Sequence, residues 1–410
     1  MPKMNLNLIL LAAGLMTVGC AQVQKAAPER FSAPPTITAS PFLTATSTST
    51  PTPTPVVSSS LGQTLTLAFT GDIMMGGSAS YKLKTEGPDA FFIHTAPYLK
   101  QADIVMGNLE GPLGTSGQKC PHKKYNFLID PSCAPGLARA GFTLMTLANN
   151  HIMDFGPEAL RSTIIALEEA GLKHAGAGSN LEEARTPAWL ELKGHKVAVL
   201  AYSRTEPVEY WAAESRAGCA AALEQTMRED ITGAKARGAD LVIVVCHWGQ
   251  EKKTKLRFYQ PELAHMAIDA GADAVVGHHP HIWQGLEVYH GKPIAYAIGN
   301  FCFGSLSTST VQSGILYLNF DGKNRWIGGR VLPLNVNNYQ VQFAAQPMKE
   351  KQAGKFLEYL RGLSDTADLS LTTDLEYQWK APSSLAGVNP IPTPQVEQNP
   401  NGGVPGLTQP

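Results

Sequence analysis

The chain offers little to several broad classes of function. Its 33 Lys plus Arg against 34 Asp plus Glu leave a formal net charge of -1, and no basic block stands out. A nucleic-acid partner is therefore not expected, because such binding rests on clustered positive charge. No segment recurs with a period of 20 to 50 residues, which argues against a solenoid or propeller. The apolar run Leu8–Met16 is too short to span a bilayer as a mature helix. Cysteine is sparse, six in 410 residues. Cys246 precedes His247, yet neighbours on a strand point to opposite faces and no third group completes a nucleophilic set, so a buried thiol is the simpler account of Cys246.

What the chain does have is a run of strand-like segments that each end in polar, ligand-forming residues. Val275-Val276-Gly277 leads into His278-His279-Pro280-His281, and imidazole is a common protein ligand for zinc, manganese and iron. Leu65–Thr70 alternates with period two and delivers Gly71-Asp72, while Ile104-Val105-Met106 delivers Gly107-Asn108-Leu109-Glu110. Leu144–Leu147 delivers Asn149-Asn150-His151 with Asp154 behind it, and Leu241–Cys246 delivers His247-Trp248-Gly249. Taken singly, each is a turn, a cap or a satisfied polar residue. In open α/β sheets the functional crevice lies beyond the carboxyl ends of the strands, so five such ends predict one converging site.

The ordered set Gly71-Asp72, Asn108-Leu109-Glu110, Asn149-Asn150-His151, His247-Trp248-Gly249-Gln250-Glu251, His279-Pro280-His281 and Gly299-Asn300-Phe301 resembles the CapA family. These are capsule-synthesis proteins associated with poly-γ-glutamate, within the calcineurin-like metallophosphoesterase superfamily. The resemblance spans roughly residues 64 to 345. It implies an α/β fold, a four-layer α/β/β/α sandwich of the metallophosphoesterase type, with two mixed sheets face to face and helices outside. By position it implies metal ligation by Asp72, Glu110, Asn150, His247, His279 and His281. His151 is then a catalytic group beside the substrate, oriented by Asp154, and Asn108, Arg204 and His278 are left as candidates for substrate contacts.

Two departures from the superfamily bear on the metal. Asp72-Ile73-Met74 has methionine where an imidazole is usual, and Gly107-Asn108 has an amide where a bridging aspartate is usual, with Glu110 the nearby carboxylate. One or two divalent ions, manganese, iron or zinc rather than calcium, suit the remaining donors. A cation with an open position acidifies water and polarises phosphoryl or acyl oxygens, which points to hydrolysis of a phosphoester or amide.

At the amino terminus Lys3 and the apolar run precede Thr17-Val18-Gly19-Cys20, which looks like a lipobox. Residues 1–19 are expected to be a lipoprotein signal peptide, with Cys20 acylated and the protein anchored outside the cytoplasm at the cell surface or in the periplasm. A plain secretory signal is the alternative. Residues 20–63, rich in Ser, Thr and Pro, form a tether, and 64–345 the CapA-like domain. Residues 346–380 follow as a helical extension with a helix at Gly354–Leu363, and 381–410 as a disordered Pro/Gly/Asn-rich tail. Helices are also expected at Pro157–Ala170 and Pro261–Ala270, each with proline at its start and glycine past its end. Outside the cytoplasm, Cys120 and Cys133 are predicted to pair.

Two functions follow from this sequence. One is a metal-dependent hydrolase acting on a phosphoester or on poly-γ-glutamate amides. The other is a non-catalytic protein holding an anionic capsule polymer. Partners are the polymer, the membrane through the lipid anchor, and capsule export proteins.

Overall fold

The computed structural model describes residues 63–121 and 123–364, together with the backbone of the short strands Leu369–Leu371, Tyr377–Trp379 and Val396–Glu397. The lipobox, the tether through residue 62 and the 381–410 tail, apart from the backbone of Val396–Glu397, lie outside the described residues.

Two mixed sheets carry the fold. In the first, the strand Leu65–Met74 lies parallel to Ile104–Leu109, which pairs in parallel with Leu144–Thr146, and that in turn with Lys173–Ala175. On its other side Leu65–Met74 pairs antiparallel with Gln312–Phe320, which pairs antiparallel with Trp326–Asn335. In the second sheet His195–Ser203, Leu241–His247, Ala274–His278 and Lys292–Ala295 run parallel, flanked by the antiparallel edges Ala188–Leu192 and Leu286–Tyr289.

The apolar runs explain the layering. Successive side chains on a strand face opposite ways. Val197, Val199 and Ala201, with Leu241, Ile243 and Val245, join Leu67 and Phe69 of the first sheet in one buried cluster. Ala198, Leu200 and Tyr202, with Val242, Val244 and Cys246, face the other way onto Met227, Ile231, Ala264 and Ala267. Those last four lie on the helices Glu224–Ala236 and Tyr259–Asp269. Leu137 of the helix Cys133–Ala140 and Leu160 and Leu167 of the helix Gly156–Glu169 pack on the first sheet's core. Strands buried on both faces read as continuous apolar runs, and these do. The four-layer α/β expectation is met.

The predicted helices 157–170 and 261–270 appear one or two residues earlier, as Gly156–Glu169 and Tyr259–Asp269. The helix expected at 354–363 begins at Glu350, and its Phe356, Leu357 and Leu360 are buried, Phe356 edge-on to Trp283 at 5.8 Å. The predicted Cys120–Cys133 disulfide is not formed: both are free thiols. Cys120 sits beside Tyr210 and its backbone N–H donates to Asp154 O, whereas Cys133 opens a helix buried in the core near Cys302. The two thiols serve different neighbourhoods, which spacing along the chain does not reveal.

Gly277 shows how tightly the second sheet closes under the site. A Cβ there would lie 1.9 Å from Tyr296 O and 2.5 Å from Trp248 Nε1. Gly277→Ala is expected to destabilise the protein by about 1–3 kcal/mol or more, since backbone must move to admit the methyl. Gly233→Ala, on a helix where none of the described residues lies within 4 Å of the added methyl, should instead stabilise by about 0.4–1 kcal/mol. Thermal unfolding of the two variants checks the contrast; a Gly277 variant as stable as the parent would refute it.

Candidate metal centre and the neighbouring His151–Asp154 pair

The parallel strands of both sheets deliver their polar ends to one place. In Leu65–Met74 the register shifts at Gly71-Asp72, an irregularity that re-aims the chain. Gly71 permits it: a Cβ there would meet Gly299 O at 2.1 Å, and Asp72 N donates to that same carbonyl at 2.9 Å. Asp72, Glu110 and Asp154 are each 0% exposed. Buried charges of this kind need partners or a cation.

Asp72, Glu110 and His281 bring one ligand atom apiece within 4.8 Å of one another. His281 Nδ1 lies 3.0 Å from both Asp72 Oδ2 and Asn300 Oδ1, and its Nε2 lies 3.7 Å from Glu110 Oε1. His278 Nδ1 lies 3.2 Å from Asp72 Oδ1, which puts His278 behind the aspartate. His247 Nε2 faces Asn150 Oδ1 at 2.9 Å, and its ring centre is 4.8 Å from that of His279. All six predicted ligands are therefore gathered between the ends of the two sheets.

The turn that carries two of them is strained. His279 has φ 96° and His281 φ 58°, in the left-handed region that non-glycine residues avoid, at a cost of about 1–3 kcal/mol each. This conformation sends both imidazoles inward across Pro280. The surrounding charges follow. Burial would raise Asp72, but hydrogen bonds and charge from His278 and His281 hold it well below the usual carboxylate range. Burial and the Asp72 charge push Glu110 well up. Burial opposes protonation of His281, yet Glu110 and Asp72 overcome it and bring it to about 9. Burial and His281 push His279 down to about 3, and burial with His279 pushes His247 well down.

These donors fit a divalent cation. Glu110 Oε1 and His279 Nδ1 are buried with no hydrogen-bond partner among the described residues, a rare condition that a bound ion relieves. Two carboxylates, an amide oxygen and imidazoles are a donor set for manganese, iron or zinc. Asn108 modifies the set. Its Nδ2 donates to Asp72 Oδ1 at 2.8 Å and approaches Glu110 Oε2 at 3.3 Å, while its Oδ1 accepts from Asn149 Nδ2 at 3.0 Å. The amide thus presents N–H, not lone pairs, to the two carboxylates, and it serves as a brace between strands.

His151 stands beside this cluster. Its Nδ1 lies 2.6 Å from Asp154 Oδ2 and its Nε2 3.9 Å from Glu110 Oε1, so the ring is turned with Nε2 toward the cluster. Phe127 stacks on it at 4.1 Å. Asp154 is saturated with donors: Phe127 N at 2.7 Å, Tyr210 Oη at 3.1 Å and Lys123 Nζ at 2.6 Å. Lys123 also reaches His151 Nδ1 at 3.0 Å and donates to Asn150 O. Burial pushes His151 down, and the neighbouring Asp154 opposes that.

Arg204 stays out of this network. Its guanidinium donates to Ala222 O at 3.2 Å and lies over the Tyr259 ring at 5.7 Å. Lys123, Phe127, Tyr210 and Asn149 carry more of the site than their sequence surroundings indicate. Asn149 falls within a recognisable Asn-Asn-His run, but Lys123 is one of several lysines in a polar loop and has no local signal.

Residues 66–305 match the family model described as bacterial capsule synthesis protein PGA_cap. The chain is similar to the capsule biosynthesis protein CapA of Bacillus anthracis, 34% identical over 280 residues, which cover 67% of this chain and 68% of that one. It is also similar to the PGA biosynthesis protein CapA of Bacillus subtilis strain 168, 30% identical over 320 residues, 77% of this chain and 80% of that one. Among solved structures, a putative 5'-nucleotidase from Staphylococcus aureus aligns with a TM-score of 0.42 at 14% identity, covering 76% of this chain and 56% of that one.

Proposed function

We propose, from the premise that the chain belongs to the bacterial capsule synthesis protein family matched over residues 66–305, that it takes part in making, exporting or anchoring a poly-γ-glutamate-type capsule as a divalent-metal-dependent hydrolase. The observation that carries this is the pairing of the Asp72, Glu110 and His281 cluster with a His151–Asp154 dyad whose Nε2 faces it. Its relatives' names, capsule biosynthesis and PGA biosynthesis proteins, support the polymer as the pathway.

Asp72, Glu110, Asn150, His247, His279 and His281 would hold the ion. When bound, the cation supplies Lewis-acid polarisation of a phosphoryl or acyl oxygen and lowers the pKa of water. The remaining chemistry belongs to side chains. Asp154 fixes the His151 ring through Nδ1, leaving Nε2 to hand a proton to the leaving oxygen or nitrogen. Phe127 covers one face of that ring and excludes water from it. The second function, polymer holding without turnover, draws on Met74 and Asn108, which replace two donors of the superfamily pattern.

The deciding experiment is elemental analysis of the chain purified without chelator, followed by assay of phosphoesters and γ-glutamyl amides before and after chelation. Stoichiometric manganese, iron or zinc with chelator-sensitive turnover supports hydrolysis. A bound metal with no turnover on either class leaves the holding function.

We further propose that Cys20 anchors the protein by acylation outside the cytoplasm. Cys20→Ser is expected to abolish incorporation of labelled palmitate and leave an uncut precursor. Unchanged labelling would overturn the lipobox assignment.

A further inference from the structure

Asp154 is a fully buried carboxylate that lies 2.6 Å behind the His151 ring, so an anionic group held beside His151 meets its charge at short range. Lys123 answers that problem. Its side chain is 16% exposed and reaches in from the loop between Gly114 and Ile129 to pair with Asp154 at 2.6 Å, while also touching Asn150 O and His151 Nδ1. Tyr210 and Phe127 N already supply Asp154 with neutral donors, so holding the carboxylate does not by itself call for a cation. The lysine's field also reaches beyond its partner, to Glu110 and His279 on the cluster itself.

We propose that Lys123 is a specificity-determining residue: its ammonium cancels the Asp154 charge behind His151, and so lets the site accept a substrate group that is itself anionic, a carboxylate or a phosphate. The inference rests on the function proposed above. Burying a lysine costs solvation, and the ion pair with Asp154 compensates it. Lys123 Nζ lies 3.0 Å from His151 Nδ1, so a group bound at Nε2 stands one imidazole ring away, near enough for the charge to alter anion affinity by about an order of magnitude.

The test uses the full metal-loaded chain, with Lys123→Met and Lys123→Arg variants. Binding of inorganic phosphate, of a γ-linked glutamate oligomer and of its counterpart with the pendant α-carboxylates converted to carboxamides is measured by calorimetry, and metal content by mass spectrometry. The methionine variant is expected to bind both anions about tenfold more weakly and the carboxamide oligomer equally well, with metal retained. The arginine variant should restore anion binding to within about threefold. Equal weakening of the anions and the carboxamide oligomer, unchanged anion binding, or loss of metal from the methionine variant would each overturn the proposal, the last by making Lys123 a support for Asn150. If the parent protein binds metal but neither anion, the polymer function fails along with it; if only the substitution has no effect, the failure is confined to Lys123.

Discussion

His281→Ala is expected to lower divalent-metal affinity by at least about 100-fold and to leave the purified protein substoichiometric in metal. The imidazole works at both nitrogens. Nδ1 is fixed by Asp72 Oδ2 and Asn300 Oδ1, each at 3.0 Å, and Nε2 lies 3.7 Å from Glu110 Oε1. Removing it deletes a donor and also frees Asp72 from the contact that aims its carboxylate. Loss of an outer hydrogen-bond partner alone costs about 10–100-fold in metal affinity, so loss of a ligand that is also such a partner should cost more. Folding should survive. His281 lies in a turn with left-handed backbone, and alanine meets the same positive-φ penalty there as histidine, so the substitution adds no new backbone strain. Circular dichroism with metal titration followed by calorimetry separates affinity from folding. A variant that binds metal as tightly as the parent would remove His281 from the ligand set and leave the cluster as a network of buried ion pairs.

How much of this centre can be read from the chain depends on how locally each residue is fixed. Asp72, His247 and His278 sit at strand ends, where continuous apolar runs mark the strand and the first polar residue marks its exit, so sequence alone brings them together. The layering is legible for the same reason: Val197 to Tyr202 alternates between two buried surfaces, and such a run suits a strand with a sheet on one side and helices on the other. Lys123 and Tyr210 are a different matter. They meet at Asp154 from loops 87 residues apart along the chain, and neither loop has a periodicity that places its side chains. The role of Asn108 also depends on three-dimensional detail. Only the observed bond from Asn149 shows which end of its amide faces the carboxylates. The disulfide expectation failed on the same ground, since Cys120 and Cys133 are near in sequence but follow separate loop and helix paths.

His151→Gln should reduce turnover by about 10²–10⁴-fold while leaving the metal in place, the range by which a positioned acid or base accelerates proton transfer. Glutamine keeps much of the volume under Phe127 and can still hydrogen-bond to Asp154, but it cannot deliver a proton at the position of Nε2. That position is what the surroundings conserve energetically: Asp154 Oδ2 holds Nδ1 at 2.6 Å, Phe127 stacks at 4.1 Å, and Nε2 is left 3.9 Å from Glu110. Asp154→Asn should cost less, because the ring loses its anionic partner but keeps the stacking. The double variant should be little worse than His151→Gln alone, since residues acting as one unit are not additive. Metal content of all three should match the parent, which distinguishes this loss from that of His281→Ala. If His151→Gln turned over substrate at the parent rate with metal bound, proton delivery from this ring would be excluded. A protein that held metal and polymer but showed no turnover in parent or variant would make the centre an anchor for an anionic chain, with His151 and the Lys123–Asp154 ion pair forming a charge-balanced wall beside it.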